Sequence, residues 1–233
     1  MLAAELRKNW KRSRVLILPF EEWDCLISDN GSPEFDVITY SYNSKLSKRN
    51  LTGLQNKSVM HIPLETEFWG QSIFQLAQAI VGKYEVYGFL NGDIWTTIED
   101  INKCFNIGDL YNLDLFQPSL SLSSYFSHQH TLNQPGHTLI EVPFVEIMIP
   151  FLSQALLKAY VDYGYWNYSG WGIDCYLWPV LAKLLNLKPP TIVHASLATH
   201  CKPVDSAAMR FSNGLTAQQE LEQMHAILSN NQQ

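Results

Sequence analysis

One run of residues, Tyr87–Ile94 (YGFLNGDI), constrains this chain more than any other. Its aromatic and apolar half stops at Asn91-Gly92-Asp93, so a buried strand here carries a carboxylate at its C-terminal end. Open α/β sheets bind their ligands at that edge. A carboxylate there suits a divalent cation, which prefers oxygen ligands and bridges protein to substrate phosphates. The alternative interpretation is a plain turn, because Asn-Gly is among the strongest turn signals.

Strands and helices alternate along the first half of the chain, and the second half is less regular. The predicted strands are Arg14–Phe20, Phe35–Tyr42, Lys57–Pro63, Tyr84–Leu90, Leu115–Leu122, Thr138–Phe144 and Thr191–His194. The predicted helices are Met1–Ser13, Phe68–Val81, Thr97–Phe105, Phe151–Tyr163 and Cys175–Leu185, with a helical tail over 205–233. This alternation predicts an α/β fold in which a central, mostly parallel twisted sheet is flanked by helices, as a single domain over 1–233.

Composition excludes several classes of protein. Apolar residues make up 46% of the chain and charged residues 16%, which excludes a disordered chain and allows a sizeable core. The net charge of -6 argues against nucleic-acid binding, which requires a basic surface. The four cysteines lie far apart in the sequence, so we expect neither a disulfide framework nor a zinc site.

We expect a cytoplasmic protein without a membrane span. The longest apolar stretch, Thr138–Val161, contains Glu141, Glu146 and Lys158, and a span would not carry these charges. The basic helix Met1–Ser13 has a short apolar stripe, which favours docking on its own domain. The alternative is peripheral contact with an anionic membrane surface.

Two carboxylates in the second half are candidate catalytic groups. Glu146 sits inside an apolar run, where a buried carboxylate costs several kcal/mol unless it is paired. Burial also raises the pKa of a carboxyl group, which suits a general acid or base. The alternative is a structural pairing with an arginine or a backbone N–H. Asp174 follows a glycine-rich loop and is a candidate N-cap of the next helix, a role that does not exclude catalysis.

The loop before Asp174 reads Ser169-Gly170-Trp171-Gly172, and its glycines permit a close approach of backbone to ligand. Trp171 is therefore either a platform for a ligand or a core residue. His194 and His200 lie near the end of the last predicted strand. They are either structural or, if that strand neighbours the Asn-Gly-Asp strand, able to complete a metal site for which imidazole favours manganese.

Taken in order, five segments resemble the GT-A-fold glycosyltransferases. Within that fold, the chain more specifically resembles a bacterial and plant family that is catalogued as a domain of unknown function. It spans about Phe35 to Val204. The matching segments are Asn91-Gly92-Asp93 in place of an acidic triplet, the QPSLS segment in Phe116–Tyr125, the VEIM core in Val142–Pro150, the SGWGxD loop in Asn167–Pro179, and a late histidine followed by proline in Thr191–Pro203.

This resemblance implies a GT-A-like glycosyltransferase. It would move a sugar from a nucleotide-sugar donor to a carbohydrate or lipid-linked acceptor, in surface polysaccharide or glycoconjugate synthesis. Trp166, Tyr168 and Trp171 would stack on sugar faces. The implied roles are donor binding by Asn91, Gly92 and Asp93, metal binding by Asp93 and His200 with Mn²⁺ or Mg²⁺, catalysis by Glu146 and Asp174, and acceptor binding by Trp171 and Gly172.

The chain departs from the family pattern at three positions. Asn91 and Gly92 occupy two of the three acidic positions, and His194 stands where an acidic residue is expected. These departures motivate an alternative function, a degenerate transferase fold that binds a saccharide or nucleotide without catalysis. A third hypothesis is an assembly partner in a surface-polysaccharide complex.

Overall fold

The computed structural model describes residues 13–19, 27–28, 31–41, 58–203 and 209–230. The predicted helix Met1–Ser13 lies outside these residues apart from Ser13, so its docking and its membrane contact stay predictions. No helix among the described residues has both the length and the apolar character that crossing a bilayer requires.

Ten strands and five α-helices follow one another in the described residues. The strands are β1 (Arg14–Pro19), β2 (Ile27–Ser28), β3 (Asp36–Ser41), β4 (Ser58–Pro63), β5 (Val86–Phe89), β6 (Ile94–Thr97), β7 (Leu115–Leu120), β8 (Leu139–Glu141), β9 (Phe151–Ser153) and β10 (Thr191–His200). The helices are α1 (Trp69–Ile80), α2 (Ile98–Leu110), α3 (Gln154–Tyr163), α4 (Trp178–Leu184) and α5 (Ala217–Asn230), with a 3₁₀ turn at Gln129–Thr131 and a π-helix at Ile173–Leu177.

All ten strands form one sheet, in the order β2-β6-β10-β7-β9-β5-β1-β3-β4, with β8 pairing to β10 beside this path. The strands β4, β3, β1 and β5 run parallel to one another. In contrast, β9 runs antiparallel between β5 and β7, and β6 and β8 run antiparallel to β10. The predicted α/β sheet is therefore confirmed, and of its antiparallel strands β8 and β9 come from the less regular half of the sequence and β6 from the first half.

The sheet has an apolar core on each face, because its central strands are buried on both sides. Along β1, Val15 and Ile17 join one core while Leu16 and Leu18 join the other. This alternation follows from the two-residue period of a strand. Helix α2 covers the second core, and the other four helices contribute to the first. The continuous apolar sequence of β1 is typical of such a doubly covered strand.

Helix α2 begins where the sequence predicts. Thr97 is its N-cap, and the Thr97 hydroxyl accepts a hydrogen bond from the backbone N–H of Asp100. Glu99 and Asp100 occupy the first turn, where negative charge is favourable. Strand β6 ends at this cap, and Asp93 lies in the turn that joins β5 to β6.

Several predicted boundaries were wrong, strand β6 was not predicted, and two of the errors show why. Phe151–Ser153, predicted as the start of a helix, forms strand β9 between β5 and β7, and helix α3 begins only after the N-cap Ser153. The predicted strand Thr191–His194 continues to His200, because β10 gains a second partner in β6. Both errors have the same cause, since long-range strand pairing overrides local periodicity.

Candidate active site

The Asn91-Gly92-Asp93 segment is both a turn and a site edge. Strand β5 ends at Phe89, and the Ile94 N–H donates to the Asn91 carbonyl at 3.3 Å, which closes a turn. The Gly92 N–H donates to the Asn91 side-chain oxygen at 2.8 Å. The two interpretations of this sequence are therefore compatible. The Asn-Gly pair makes the turn, and the turn places Asp93 beyond the C-terminal end of a parallel strand.

Strand β10 brings His200 to Asp93. In the antiparallel pairing of β10 with β6, His200 stands opposite Ile94. The Cys201 N–H donates to the Asp93 carbonyl at 2.8 Å, and His200 Nε2 lies 3.3 Å from Asp93 Oδ2. The two residues are far apart in sequence, and the structure brings them into contact as the predicted metal pair requires.

The orientation of the His200 ring is fixed by its other nitrogen. Nδ1 lies 2.9 Å from the Tyr125 carbonyl oxygen, and because a carbonyl only accepts, Nδ1 carries a proton. Nε2 therefore faces Asp93 as a second N–H or as a free lone pair. Burial lowers the pKa of His200, but the hydrogen bond and charge of Asp93 outweigh it, helped by the Tyr125 carbonyl and the charge of Glu146, so the pKa lies above its ordinary value.

Glu146 lies on the irregular connection between β8 and β9, with only 4% of its surface exposed. Its backbone N–H donates to the side-chain oxygen of Gln117 at 2.5 Å. Among the described residues, its Oε2 atom is buried without a hydrogen-bond partner, and none of the ion pairs involves Glu146. Burial and the nearby charge of Asp174 raise the pKa of Glu146 to about 8, despite the opposing effects of His200 and Thr131.

Asp174 lies in the first turn of the π-helix Ile173–Leu177, and Gly172 stands at the N-cap position instead. The capping interpretation of Asp174 was therefore wrong. Its two carboxylate oxygens accept from the backbone N–H groups of Ile147 at 3.1 Å and of Cys175 at 2.8 Å. Burial raises the pKa of Asp174 to about 6, although these hydrogen bonds lower it. A single π-helical turn of this kind is frequent at functional sites.

One cavity of about 820 Å³ joins these groups. Of the residues to which the resemblance gives a donor, metal, catalytic or acceptor role, Gly92 alone is absent from the lining, apart from the sugar-stacking candidates Trp166 and Tyr168. The predicted residues in its lining are Asn91, Asp93, Glu146, Trp171, Gly172, Asp174 and His200. The acidic and imidazole groups that the sequence scatters over more than a hundred positions therefore share one chamber at the end of the sheet.

The sequence interpretation missed most of the aromatic wall. Besides Trp171, the lining includes Phe68, Trp69, Phe144, Tyr176 and Phe211. We expected Trp166 and Tyr168 to stack on sugars. Their ring centroids lie 5.3 Å apart, and both residues lie outside the lining. Only the spacing between glycines distinguished Trp171, and no local signal distinguished the others from core aromatics.

His194 lies apart from the cavity. Its Nδ1 accepts from the backbone N–H of Gln134 at 3.1 Å, and its ring lies 6.4 Å from that of His137. Burial lowers the pKa of His194, with the nearby charge of His137 acting in the same direction. Of the two candidate histidines, the structure therefore brings only His200 to Asp93.

A divalent cation is compatible with the Asp93–His200 pair. Asp93 Oδ1 is buried and has no hydrogen-bond partner among the described residues, and His200 Nε2 faces the other carboxylate oxygen. The described part of the chain contains no group of three or more metal-binding side chains, so a cation here would take its remaining ligands from phosphate and water.

Comparison with solved structures supports the fold independently of the sequence patterns. No protein-family model matches the chain, and no curated protein matches it. The structure of S. aureus TarS 1–349 in complex with UDP-GlcNAc matches at a TM-score of 0.61 and 14% identity, over 91% of this chain and 64% of that one. The structure of GalNAc-T7 with UDP, GalNAc and Mn²⁺ matches at a TM-score of 0.55 and 9% identity, over 85% and 45%. Both are glycosyltransferases.

The chain has a GT-A-like fold. A second TarS 1–349 structure, in complex with UDP, gives a TM-score of 0.60 at 14% identity, over 92% of this chain and 64% of that one. Identities this low establish the fold alone. The chain also spans less than two thirds of the length of each of these structures. The predicted GT-A-like fold is confirmed, and the narrower motif family stays a prediction.

Proposed function

We propose that the protein is a glycosyltransferase that moves a sugar from a nucleotide-sugar donor to a carbohydrate or lipid-linked acceptor. The observation that carries this proposal is the pairing of two kinds of group in one cavity of a GT-A-like fold. Asp93 and His200 stand at the end of the sheet, and Glu146 and Asp174 stand in the same lining. The structural neighbours that were solved with UDP or UDP-GlcNAc support a nucleotide-sugar as the donor.

On the donor side, Asp93 and His200 would hold Mn²⁺ or Mg²⁺ beside the diphosphate. A cation bound there neutralises negative charge that develops on the leaving diphosphate. The buried, unpartnered oxygen of Asp93 supports this assignment. The hydrogen bond from His200 Nδ1–H to the Tyr125 carbonyl fixes the ring so that Nε2 is directed at Asp93. Asn91 shapes the turn that presents Asp93, and Gly92 contributes backbone to that turn.

On the acceptor side, we assign proton removal to Glu146. As the acceptor oxygen bonds to the anomeric carbon, the bond from that carbon to the donor phosphate breaks, and the hydroxyl proton passes to the carboxylate. Glu146 Oε2 has no partner among the described residues, whereas both oxygens of Asp174 accept backbone hydrogen bonds. Asp174 therefore orients the Ile147 backbone next to Glu146 and adds negative charge that keeps the Glu146 proton affinity high. A pKa near the working pH suits a general base.

The aromatic wall supports a sugar as the acceptor group. Trp171 lies half-buried in the lining, and aromatic faces offer apolar area to the C–H face of a sugar. A role in surface polysaccharide or glycoconjugate synthesis, and a cytoplasmic location, belong to the same proposal.

A thermal-shift experiment tests the donor side. We expect UDP with Mn²⁺ to raise the melting temperature, because a ligand that binds only the folded state stabilises it by about 2.7 kcal/mol at a hundredfold excess over its dissociation constant. In Asp93→Ala the Mn²⁺-dependent part of this shift should be lost. The control is Asp162→Ala, which removes an exposed carboxylate on helix α3. An unchanged Mn²⁺-dependent shift in Asp93→Ala would disprove the metal assignment.

A second candidate function is binding without turnover. It is favoured by Asn91 and Gly92, which leave Asp93 as the only carboxylate of that turn. Slow hydrolysis of UDP-sugars in the absence of an acceptor separates the two functions, because a binding module lacks that activity. Release of free sugar that disappears in Glu146→Gln supports the transferase. A nucleotide-induced thermal shift without any hydrolysis or transfer supports the binder.

A further inference from the structure

The C-terminal segment Met209–Asn230 forms part of the cavity wall. Phe211, Gln218 and Leu221 all belong to the lining. The Phe211 ring packs edge-on against that of Phe68, with centroids 4.5 Å apart, and stacks on that of Tyr168, with centroids 5.8 Å apart. Phe211 therefore contacts two other parts of the chain. The sequence alone predicted only a helical tail in this region. The segment instead reaches the same chamber as Glu146 and Asp174.

One buried carboxylate of this segment accepts an unusual set of hydrogen bonds. Glu220, in helix α5, is 1% exposed. Its two oxygens accept from the Tyr168 N–H at 3.1 Å, the Ser169 N–H at 2.8 Å, the Ser169 hydroxyl at 2.7 Å and the Asn213 side-chain N–H at 2.8 Å. A buried carboxylate is expensive unless its lone pairs are satisfied. Four donors satisfy this one, and three of them belong to a single loop.

That loop, Asn167–Gly172, carries the proposed acceptor residues Trp171 and Gly172 and leads directly into Asp174. Helix α5 contacts it at a second point, because a Cβ on Gly172 would lie 2.9 Å from the Met224 Cβ. The Ser169 hydroxyl, besides donating to Glu220, accepts from the Trp171 N–H at 3.1 Å. A chain of hydrogen bonds therefore runs from Glu220 through Ser169 to the backbone of Trp171.

We propose that Glu220 is a positioning residue for the acceptor half of the site. It contacts no substrate, and it is absent from the cavity lining. It holds the Tyr168–Ser169 backbone so that Trp171 presents its face to a sugar acceptor and Asp174 keeps its place beside Glu146. The substrate in this inference depends on the proposed transferase function. The hydrogen-bonding role of Glu220 depends only on the geometry described above.

The first test does not depend on activity. In Glu220→Gln, an amide N–H₂ replaces one carboxylate oxygen and faces donors that need an acceptor. Hydrogen exchange of the Tyr168 and Ser169 amides should become at least tenfold faster. Amides of strand β1 serve as the internal reference, and Glu141→Gln, an exposed glutamate on β8, is the matched control. Unchanged exchange at Tyr168 and Ser169 would overturn the proposal even if no transferase activity exists.

The second test separates positioning from simple structural support. With the folded state confirmed by its melting curve, Glu220→Gln should raise the KM for the acceptor at least tenfold. The KM for the donor and the Mn²⁺-dependent shift with UDP should stay at wild-type values, because Asp93 and His200 lie on other elements. Equal changes in both KM values, or no change in either, would overturn the positioning role. Absence of transfer and donor binding in the wild type, with faster exchange in the variant, would refute the proposed function and leave the hydrogen-bonding role of Glu220 supported.

A milder variant covers the case in which Glu220→Gln does not fold. Ser169→Ala removes the hydroxyl that links Glu220 to the Trp171 N–H and leaves the two backbone donors in place. It should raise the acceptor KM in the same direction by a smaller factor. A wild-type acceptor KM in Ser169→Ala would contradict the proposed chain of hydrogen bonds.

Discussion

At the scale of single residues, burial and charge conflict most directly at Glu146. An unpaired carboxylate in an apolar connection destabilises the fold, and the fold relieves the conflict by binding a proton there. Burial and Asp174 together raise the pKa of Glu146 to about 8. The folded protein therefore keeps a carboxyl group that gains and loses a proton around pH 8 instead of pH 4.5. This is the property that the proposed mechanism uses.

The raised pKa makes stability depend on pH in a defined direction. The folded state keeps a proton that the unfolded state, with the ordinary pKa of 4.5, has already released. Stability from this group is therefore complete below about pH 4.5 and is lost as the pH rises through about 8. The total loss is on the order of 5 kcal/mol, at 1.36 kcal/mol per pKa unit.

We predict that Glu146→Gln flattens the stability profile between about pH 5 and 8 and exceeds the wild type in stability at pH 8. The amide keeps the size of the side chain and cannot ionise. Urea denaturation at a series of pH values, without metal or nucleotide, measures this. The pKa of Asp174 is raised from 3.8 to about 6, so both proteins should keep a smaller fall in stability at lower pH. Glu141→Gln is the exposed control, and a variant profile as steep as that of the wild type would contradict the burial argument.

At the scale of elements, the site depends on one close approach between backbones. A Cβ on Gly70, near the start of α1, would lie 2.2 Å from the Gly170 nitrogen and 2.6 Å from the Asn167 carbonyl oxygen. The Gly70 N–H donates to the Tyr168 carbonyl at 2.9 Å. Helix α1 therefore holds the Asn167–Gly172 loop from one side while Glu220 holds it from the other.

We predict that Gly70→Ala lowers the free energy of unfolding by about 2–3 kcal/mol, because the added methyl group displaces backbone and not a flexible side chain. Gly82→Ala is the matched control at the other end of α1. Gly82 has a φ of 85° but no neighbour within 4 Å of its added Cβ, so only backbone strain of about 1 kcal/mol is expected. Chemical denaturation compares the two. A loss in Gly70→Ala no larger than in Gly82→Ala would mean that the loop accommodates the methyl group.

At the scale of the whole molecule, the candidate site and the buried ion pair of Arg14 lie at opposite edges of the sheet. Arg14 begins β1 and pairs in register with Val86 of β5, whereas Asp93 lies beyond the far end of β5. Arg14 forms a buried ion pair with Asp109 of α2, and its guanidinium also lies 5.7 Å from the Phe105 ring centroid. This pair connects a central strand to the helix that covers one core.

We predict that Asp109→Asn lowers the free energy of unfolding by about 3 kcal/mol, because it leaves a buried guanidinium without its full counter-charge. The response to UDP and Mn²⁺ should not change, since the pair lies at the edge of the sheet away from the cavity. Denaturant titration and the thermal-shift assay measure the two effects. A lost nucleotide response in a variant that is otherwise folded would show that the two edges are coupled.

Much of the candidate site could be predicted from the sequence, because the signals are local. The Asn-Gly turn after an apolar strand located Asp93, the Thr97 cap located the start of α2, and the glutamate in an apolar run located Glu146. These signals depend on a few consecutive residues, each with a strong conformational or solvation preference. These local preferences are the same in any fold that buries the strand.

The remainder depended on contacts between distant residues. No local pattern indicates that β10 extends to His200 and pairs with β6, that the C-terminal helix forms a cavity wall, or that Glu220 accepts hydrogen bonds from the Ser169 loop. By itself the sequence determined most of the elements and which side chains carry charge into apolar surroundings, because propensity, caps and burial act over short stretches. Only the tertiary structure decided which of those side chains meet, because strand pairing and helix packing depend on surfaces that the folded chain creates.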